Sequence, residues 1–248
     1  MRVAAIVPAL DEAGNIGAVV RGLVQLCDTH GASLLSQVWV VDNGSGDGTA
    51  EAAVHAGAAV LREPRRGYGQ ACACGLAQLA RDGAPDAVLF VDGDGQCDPA
   101  EAYALLTALS DADLVVGSRR LGRVERGALT LPQRIGNRLA SWLIRALWGM
   151  PITDLGPYRA IRWSALQCLD MRDRAFGWTV EMQVRTAQRG LRYREVPVAC
   201  RTRRGRSKIS GTVRGVIGAA RGILGTIAVL WWRERCAQRS RQWHARSR

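Results

Sequence analysis

Two carboxylates stand two residues apart in Val91-Asp92-Gly93-Asp94-Gly95, directly after the apolar run Ala87-Val88-Leu89-Phe90. Acidic side chains at that spacing, at the end of a buried strand, can converge on one divalent cation. The glycine between them lets a diphosphate approach the backbone. Hard oxygen donors suit Mg²⁺ or Mn²⁺, with phosphate oxygens completing the shell. The ligand spacing of an EF-hand is absent. A second polar loop, Asp42-Asn43-Gly44-Ser45-Gly46-Asp47-Gly48-Thr49, follows the apolar run Val38 to Val41. Its glycines alternate with polar residues and do not form the dinucleotide fingerprint. Asp42 is placed to accept from a base N–H or from ribose hydroxyls, or to close an Asx-type turn. The run Arg201 to Lys208 offers phosphate ligands of both kinds, a planar fork in Arg204 and a point charge in Lys208.

These groups need elements to hold them. Apolar runs at residues 3–9, 38–41, 58–61, 87–91 and 114–116 predict buried strands. Helical stretches between them are predicted at about 15–29 (capped by Asn15), 50–56, 67–81 and 99–109, the last opened by Pro99. Strands that are apolar throughout and alternate with helices imply an α/β fold, with a mainly parallel sheet covered by helices on both faces. Asp11, Asp42, Asp92, Asp94 and Arg119 all fall just after strand C-termini, the edge where open α/β sheets bind ligands. Beyond residue 120 the pattern predicts a loop at 121–131, helices at 133–148, 164–169 and 177–189, a loop at 154–158 and a strand at 191–198.

The chain of 248 residues carries 34 Lys plus Arg against 22 Asp plus Glu, a formal charge of +12. Residues 1–200 balance at 21 basic and 21 acidic, whereas residues 201–248 hold 13 basic residues and one acid, Glu234. A neutral domain therefore precedes a basic region, which points to an anionic partner: nucleic acid, membrane surface or phosphate. The division expected is a catalytic domain over 1–210 and an apolar helix with a basic tail over 211–248. The segment 213–232, interrupted by Arg221 and ending in Trp231-Trp232, reads as a helix lying in a membrane interface. A transmembrane span and a helix packed on the domain are the other readings. Seven cysteines without metal-site spacing read as thiols in a reducing compartment. The N-terminus enters an apolar strand with no secretory leader, so a cytoplasmic protein attached peripherally to the inner face of the plasma membrane is expected.

Taken in order, Val7-Pro8-Ala9-Leu10-Asp11-Glu12, the Asp42 loop, Arg66-Gly67-Tyr68-Gly69 and Val91-Asp92-Gly93-Asp94-Gly95-Gln96 resemble the family 2 glycosyltransferases of GT-A fold. Among these, the chain looks most like the dolichyl- and polyprenyl-phosphate sugar synthases. The similarity extends through Gly117-Ser118-Arg119, Thr153-Asp154-Leu155-Gly156-Pro157-Tyr158-Arg159 and Arg204-Gly205-Arg206-Ser207-Lys208, over about residues 1–230. The resemblance implies that Pro8, Ala9, Asp11 and Glu12 line a nucleoside pocket and that Asp42 holds the base. Gly67 and Gly69 would admit the donor, and Asp92 and Asp94 would bind the metal with Gln96 beside them. Asp154 and Arg119 would stand at the reacting centre, and Arg159, Arg204, Ser207 and Lys208 would meet the acceptor phosphate. Two positions depart from the pattern. Asn43 replaces a second acid, and Leu155-Gly156-Pro157-Tyr158 differs from mannosyl-transferring relatives, so the sugar stays open.

The reaction implied is inverting transfer of a hexose from a nucleotide sugar, of UDP-glucose or GDP-mannose type, to polyprenyl phosphate at an anionic membrane surface. A phosphate nucleophile is already anionic at neutral pH, so Asp154 would position rather than deprotonate. With a soluble hydroxyl acceptor, the alternative, Asp154 would become the base. A nucleic-acid-binding protein using the basic C-terminus is the competing class; no nucleic-acid motif accompanies the arginines, so no nucleic-acid partner is expected.

Overall fold

A computed structural model of the chain describes residues 1–203, Gly205 and residues 213–246, without the side chains of 213–217 and 241–246. Seven strands form one sheet: β1 (Val3–Ala9), β2 (Gln37–Asp42), β3 (Ala59–Arg62), β4 (Ala87–Phe90), β5 (Leu114–Ser118), β6 (Arg159–Arg162) and β7 (Tyr193–Pro197). Their order is β3-β2-β1-β4-β6-β5-β7. All neighbours are parallel except β6, which runs antiparallel between β4 and β5. The helices are α1 (Ala13–Val24), α2 (Thr49–His55), α3 (Tyr68–Arg81), α4 (Ala102–Ala108), α5 (Leu131–Trp148), α6 (Trp163–Leu169), α7 (Trp178–Gln188) and α8 (Val213–Arg246).

All seven residues of β1 are buried, because its two faces feed two cores. Val3, Ala5, Val7 and Ala9 point into the layer with α1 and α4, while Ala4 and Ile6 point into the layer with α3, α6 and α7. This alternation explains an apolar run without polar interruptions. A third cluster joins α5, α7 and α8 through Ile144, Val180, Val184, Ile227 and Leu230.

Several predicted boundaries move. Helix α1 begins at Ala13, and Asn15 is not its cap; it lies inside the first turn and donates to Glu12 Oε2 at 2.8 Å. The helix stops at Val24 because Asp28 Oδ1 collects the amides of His30 and Ala32 in a turn. Strand β6 escaped the periodicity reading: it is four residues long with an arginine at each end. Helix α8 continues from the apolar segment to Arg246. It is packed on the domain through Ile227 and Leu230. Glu234 Oε2 also accepts from Trp148 Nε1 at 2.6 Å and Gln188 Nε2 at 3.0 Å. No helix among the described residues is long and apolar enough to cross a membrane. All seven cysteines are free thiols.

Candidate active site

The C-terminal ends of β1, β2, β4 and β5 bring the predicted polar residues to one edge of the sheet. Asp92 and Asp94 follow β4. Gly93 between them lies in close contact, where an added Cβ would meet Ile16 Cδ1 at 3.0 Å and Ala9 Cβ at 3.3 Å. Burial, together with the Asp94 charge beside it, pushes the Asp92 carboxyl up to about 7. Burial also raises Asp94, although the Gln96 amide and Arg119 pull the other way. Two carboxylates two residues apart, half-buried at Asp92 and buried at Asp94, suit a divalent cation. Among the described residues no cluster of three or more His, Cys, Asp or Glu forms a complete metal cage. Asp92 and Asp94 therefore fit an ion that takes its remaining ligands from phosphate and water, the habit of Mg²⁺.

Tyr68, at the start of α3, donates to Asp92 Oδ1 at 3.0 Å. Burial raises its phenol well above the ordinary range, so it remains a donor. Arg119 follows β5 and binds Asp154 three times: its backbone N and Nε reach Oδ2 at 2.7 and 2.8 Å, and Nη2 reaches Oδ1 at 2.7 Å. Asp154 is 1% exposed, whereas the Arg119 side chain keeps 18% of its surface open. Burial alone would raise the Asp154 carboxyl, but the bonds and charge of Arg119 hold it below the usual range. With both oxygens engaged and the acid ionised, Asp154 is an anchor for Arg119 and a poor proton acceptor. Glu195 on β7 fixes the turn carrying Asp154, accepting from Thr153 N at 2.8 Å and Asp154 N at 3.3 Å.

The loops after β1 and β2 are stitched together. Asp11 N donates to Ser45 Oγ at 2.9 Å, Gly46 N donates to Asp11 Oδ1 at 2.8 Å, and Glu12 N donates to Thr49 Oγ1 at 2.8 Å. Asp42 Oδ1 accepts from Ser45 N, three residues on, at 3.0 Å, so its side chain closes the loop after β2. Asn43 shows why an amide suits the position where an acid was expected. Its Nδ2 donates to the carbonyls of Glu63 and Arg65, and its Oδ1 accepts from Gly67 N at 2.7 Å. A carboxylate has no N–H to give. Pro8 and Ala9 end β1 beside Asp42, in register with Val41 and Asp42.

One expected role is corrected, and other expected positions are tied to the protein itself. Arg159 does not face an acceptor phosphate: it is 1% exposed and its guanidinium donates to the carbonyls of Thr179, Leu155 and Gly156, bracing the turn after Asp154. Gln96 lies beside the acidic pair, its backbone N donating to Asp94 Oδ1 at 3.0 Å, while its side-chain amide ties Ala128 O at 2.9 Å to Arg201 O at 3.2 Å. Gly67 and Gly69 admit the close approach of backbone. A Cβ at Gly67, whose φ is +149°, would collide with Arg174 O, and one at Gly69 would lie 2.5 Å from Asp173 O. Arg204, Ser207 and Lys208 lie outside the described residues. The basic segment instead delivers Arg203, which pairs with Glu12 and reaches Asp94 Oδ2 at 3.5 Å. Arg203, Tyr68 and Glu195 were not singled out by the sequence patterns, and Asn43 only as a departure from the family pattern. Tyr68 and Asn43 do lie inside recognised motifs, and Arg203 adjoins one.

A cavity of about 710 Å³ is lined by Tyr68, Asp92, Arg119 and Asp154. Its other walls are mixed: Leu131 and Ile135 from α5, Phe176, and Ile223 from α8 are apolar, while Arg120, Gln133, Arg134, Asn137 and Arg138 are polar or charged. It thus joins Arg119 to a partly apolar, arginine-bordered groove between two helices.

Comparison with known proteins agrees with this arrangement. The sequence is 38% identical over 182 residues to an uncharacterized glycosyltransferase of Mycobacterium tuberculosis, covering 72% of this chain and 80% of that one. It is 32% identical over 235 residues to the undecaprenyl-phosphate mannosyltransferase of Micrococcus luteus, covering 89% and 91%. The fold matches glucosyl-3-phosphoglycerate synthase of M. tuberculosis, solved with Mn²⁺, UDP-glucose and phosphoglyceric acid. The TM-score is 0.75 at 22% identity, over 93% of this chain and 79% of that one. The family described as glycosyl transferase family 2 matches residues 4–170. With a mainly parallel α/β sheet and its acidic pair at the ligand-binding edge, the chain belongs to glycosyl transferase family 2 and is an enzyme of that class.

Proposed function

We propose that this enzyme moves a hexose from a nucleotide sugar to a polyprenyl phosphate, working at an anionic membrane surface on the cytoplasmic side. The cavity carries the reading, because it puts Arg119 and Asp92 in the same space as apolar side chains of α5 and α8, Leu131, Ile135 and Ile223, bordered by Arg134 and Arg138. A phosphate head on an isoprenoid tail has that pairing of chemistries. Helix α5 supports the reading from outside. Leu131, Ile135, Leu139 and Trp142 are between 43% and 69% exposed, in company with Arg134, Arg138 and Arg145. No acid occurs between Glu125 and Asp154. An exposed apolar stripe flanked by arginines is the pattern of a helix lying on anionic lipid. The similarity to the M. luteus undecaprenyl-phosphate mannosyltransferase favours the same acceptor class.

In this reading a phosphate oxygen of the acceptor bonds to the anomeric carbon as the bond to the diphosphate breaks on the opposite face, and the electron pair leaves with the diphosphate. A divalent cation on Asp92 and Asp94 supplies charge neutralisation to that leaving group. Arg119, held by Asp154, presents a fixed guanidinium to phosphate oxygens, a preorganised donor that need not reorient during the reaction. Asp42, with Pro8, Ala9, Asp11 and Glu12, would frame the nucleoside.

The second reading, transfer to a soluble hydroxyl-bearing acceptor, is favoured by the synthase complexes of the same fold that hold phosphoglyceric acid. A panel of radiolabelled nucleotide sugars, incubated with polyprenyl phosphate and Mg²⁺ or Mn²⁺ and then extracted with organic solvent, separates the two. Label in the lipid phase is expected. Label confined to water-soluble product when soluble acceptors are supplied would replace the lipid reading with the soluble one.

A further inference from the structure

Arg203 belongs to the basic segment, yet its guanidinium lies inside the donor site. It pairs with Glu12 and stands 3.5 Å from Asp94 Oδ2, with 18% of its side chain exposed. The two carboxylates come from loops 82 residues apart in sequence, and Arg203 bridges them. Among the described residues its Nε is buried without a partner. The chain just before it is well anchored. Cys200 N donates to Arg123 O at 2.8 Å, Arg201 N to Gln96 O at 2.9 Å, and Thr202 N to Glu125 Oε2 at 2.7 Å. These bonds run the segment along the acidic loop and bring Arg203 to its place.

We propose that Arg203 is a resident counter-ion of the donor site, standing on Glu12 and Asp94 until a divalent cation displaces it. A guanidinium and a divalent cation cannot share Asp94 Oδ2 without strong repulsion, and the attraction between Arg203 and the carboxylates must be given up when the cation enters. The arginine therefore weakens binding of the bare cation. It also keeps two buried carboxylates from facing each other unscreened when no donor is present. The inference rests on the assignment of Asp92 and Asp94 to the metal, and not on the identity of the acceptor.

Binding of Mn²⁺ alone, followed by the loss of its free-ion electron paramagnetic resonance signal without nucleotide or acceptor, tests the proposal. Arg203→Gln is expected to tighten Mn²⁺ binding about tenfold, equivalent to about 1.4 kcal/mol. Arg203→Lys, which restores the charge, is expected to return the affinity toward that of the unmodified enzyme. Asp94→Asn is expected to remove binding, whether introduced alone or together with Arg203→Gln. An Arg203→Gln affinity equal to or weaker than the unmodified enzyme's, with circular dichroism unchanged, overturns the counter-ion role. Should that variant fold poorly, Arg203→Lys alone decides: more than about threefold tighter binding than the unmodified enzyme argues against a charge effect. Mn²⁺ binding that survives Asp94→Asn would instead overturn the metal assignment beneath it.

Discussion

The Arg119–Asp154 pair permits the most exacting test, because geometry and burial both define it. Three charge-assisted hydrogen bonds of 2.7 to 2.8 Å converge on a carboxylate that is 1% exposed. Removing one member of a buried pair typically costs about 3–5 kcal/mol, mostly because the survivor is left uncompensated. Here the survivor of Asp154→Asn is Arg119, whose side chain keeps 18% of its surface open to the cavity, so water can take over part of the lost interaction. The asparagine also keeps one accepting oxygen. The expected loss is therefore about 2–3 kcal/mol. Arg119→Gln should destabilise by about the same amount, and the double variant by far less than the sum, a coupling of about 2 kcal/mol. Urea unfolding with unchanged m-values measures all four corners. Initial rates with the preferred sugar donor should fall about a hundredfold in Asp154→Asn, because the guanidinium is no longer aimed. The acid side gives an independent check. Arg119 lowers the Asp154 carboxyl, so the stability it contributes is fully present above the ordinary aspartate value of about 3.9 and disappears as pH falls through the lower folded value. Asp154→Asn should remove that part of the acid dependence. Additive single-variant losses, with coupling under about 0.5 kcal/mol, would refute the claim that Asp154 acts through Arg119.

Three other outcomes are expected. Tyr68→Phe deletes the 3.0 Å bond to Asp92 while keeping the ring in the α3 core, so kcat/KM should fall about five- to tenfold with the melting temperature nearly unchanged; steady-state kinetics and calorimetry measure both. Gly69→Ala places a Cβ 2.5 Å from Asp173 O and 2.9 Å from Arg174 Cα, so it should destabilise the fold by about 1–3 kcal/mol in urea, and a neutral result would show that the 173–175 segment yields freely. Trp142→Ser changes a side chain that is 62% exposed, so stability should stay within about 0.5 kcal/mol while flotation with anionic vesicles drops severalfold; unaltered flotation would argue against α5 as the membrane face.

The layout of the sheet was legible because buried parallel strands leave a strong mark. Runs such as Val3 to Ala9 and Ala87 to Phe90 have both faces covered and admit no polar residue. Strand β6 left no such mark. Its Arg159 and Arg162 are spent on backbone carbonyls, so a short internal strand reads as polar. The acidic pair was equally legible, since its chemistry depends on two neighbouring positions after one strand. What stayed hidden depends on the meeting of distant segments. The motif of Gly67 and Gly69 does not announce the 173–175 backbone that lies on them. Nor does the acidic loop announce that Ala128 and Arg201 take the side-chain amide of Gln96.

The basic C-terminal region shows the same limit and gives it a functional meaning. A run with arginines at 201, 203, 204 and 206 announces affinity for anions but cannot say which arginine faces the site. The hydrogen bonds along the acidic loop decide it for the described residues: Arg201 pairs outward with Asp98, and Arg203 is carried inward to Glu12 and Asp94. The excess charge therefore does more than attract a partner. Part of it, Arg203, already stands against Glu12 and Asp94, and in our proposal a cation would displace it from Asp94. The arginines of α5, which lie within the charge-balanced first 200 residues, border the apolar face where a lipid phosphate would arrive. Net charge located by sequence segment would have assigned the anionic partner to the tail alone. In the proposed reading that work is divided between a segment at Glu12 and Asp94 and a helix at the mouth of the cavity. Loss of vesicle binding and change of cation affinity should accordingly follow from different substitutions, Trp142→Ser for the first and Arg203→Gln for the second.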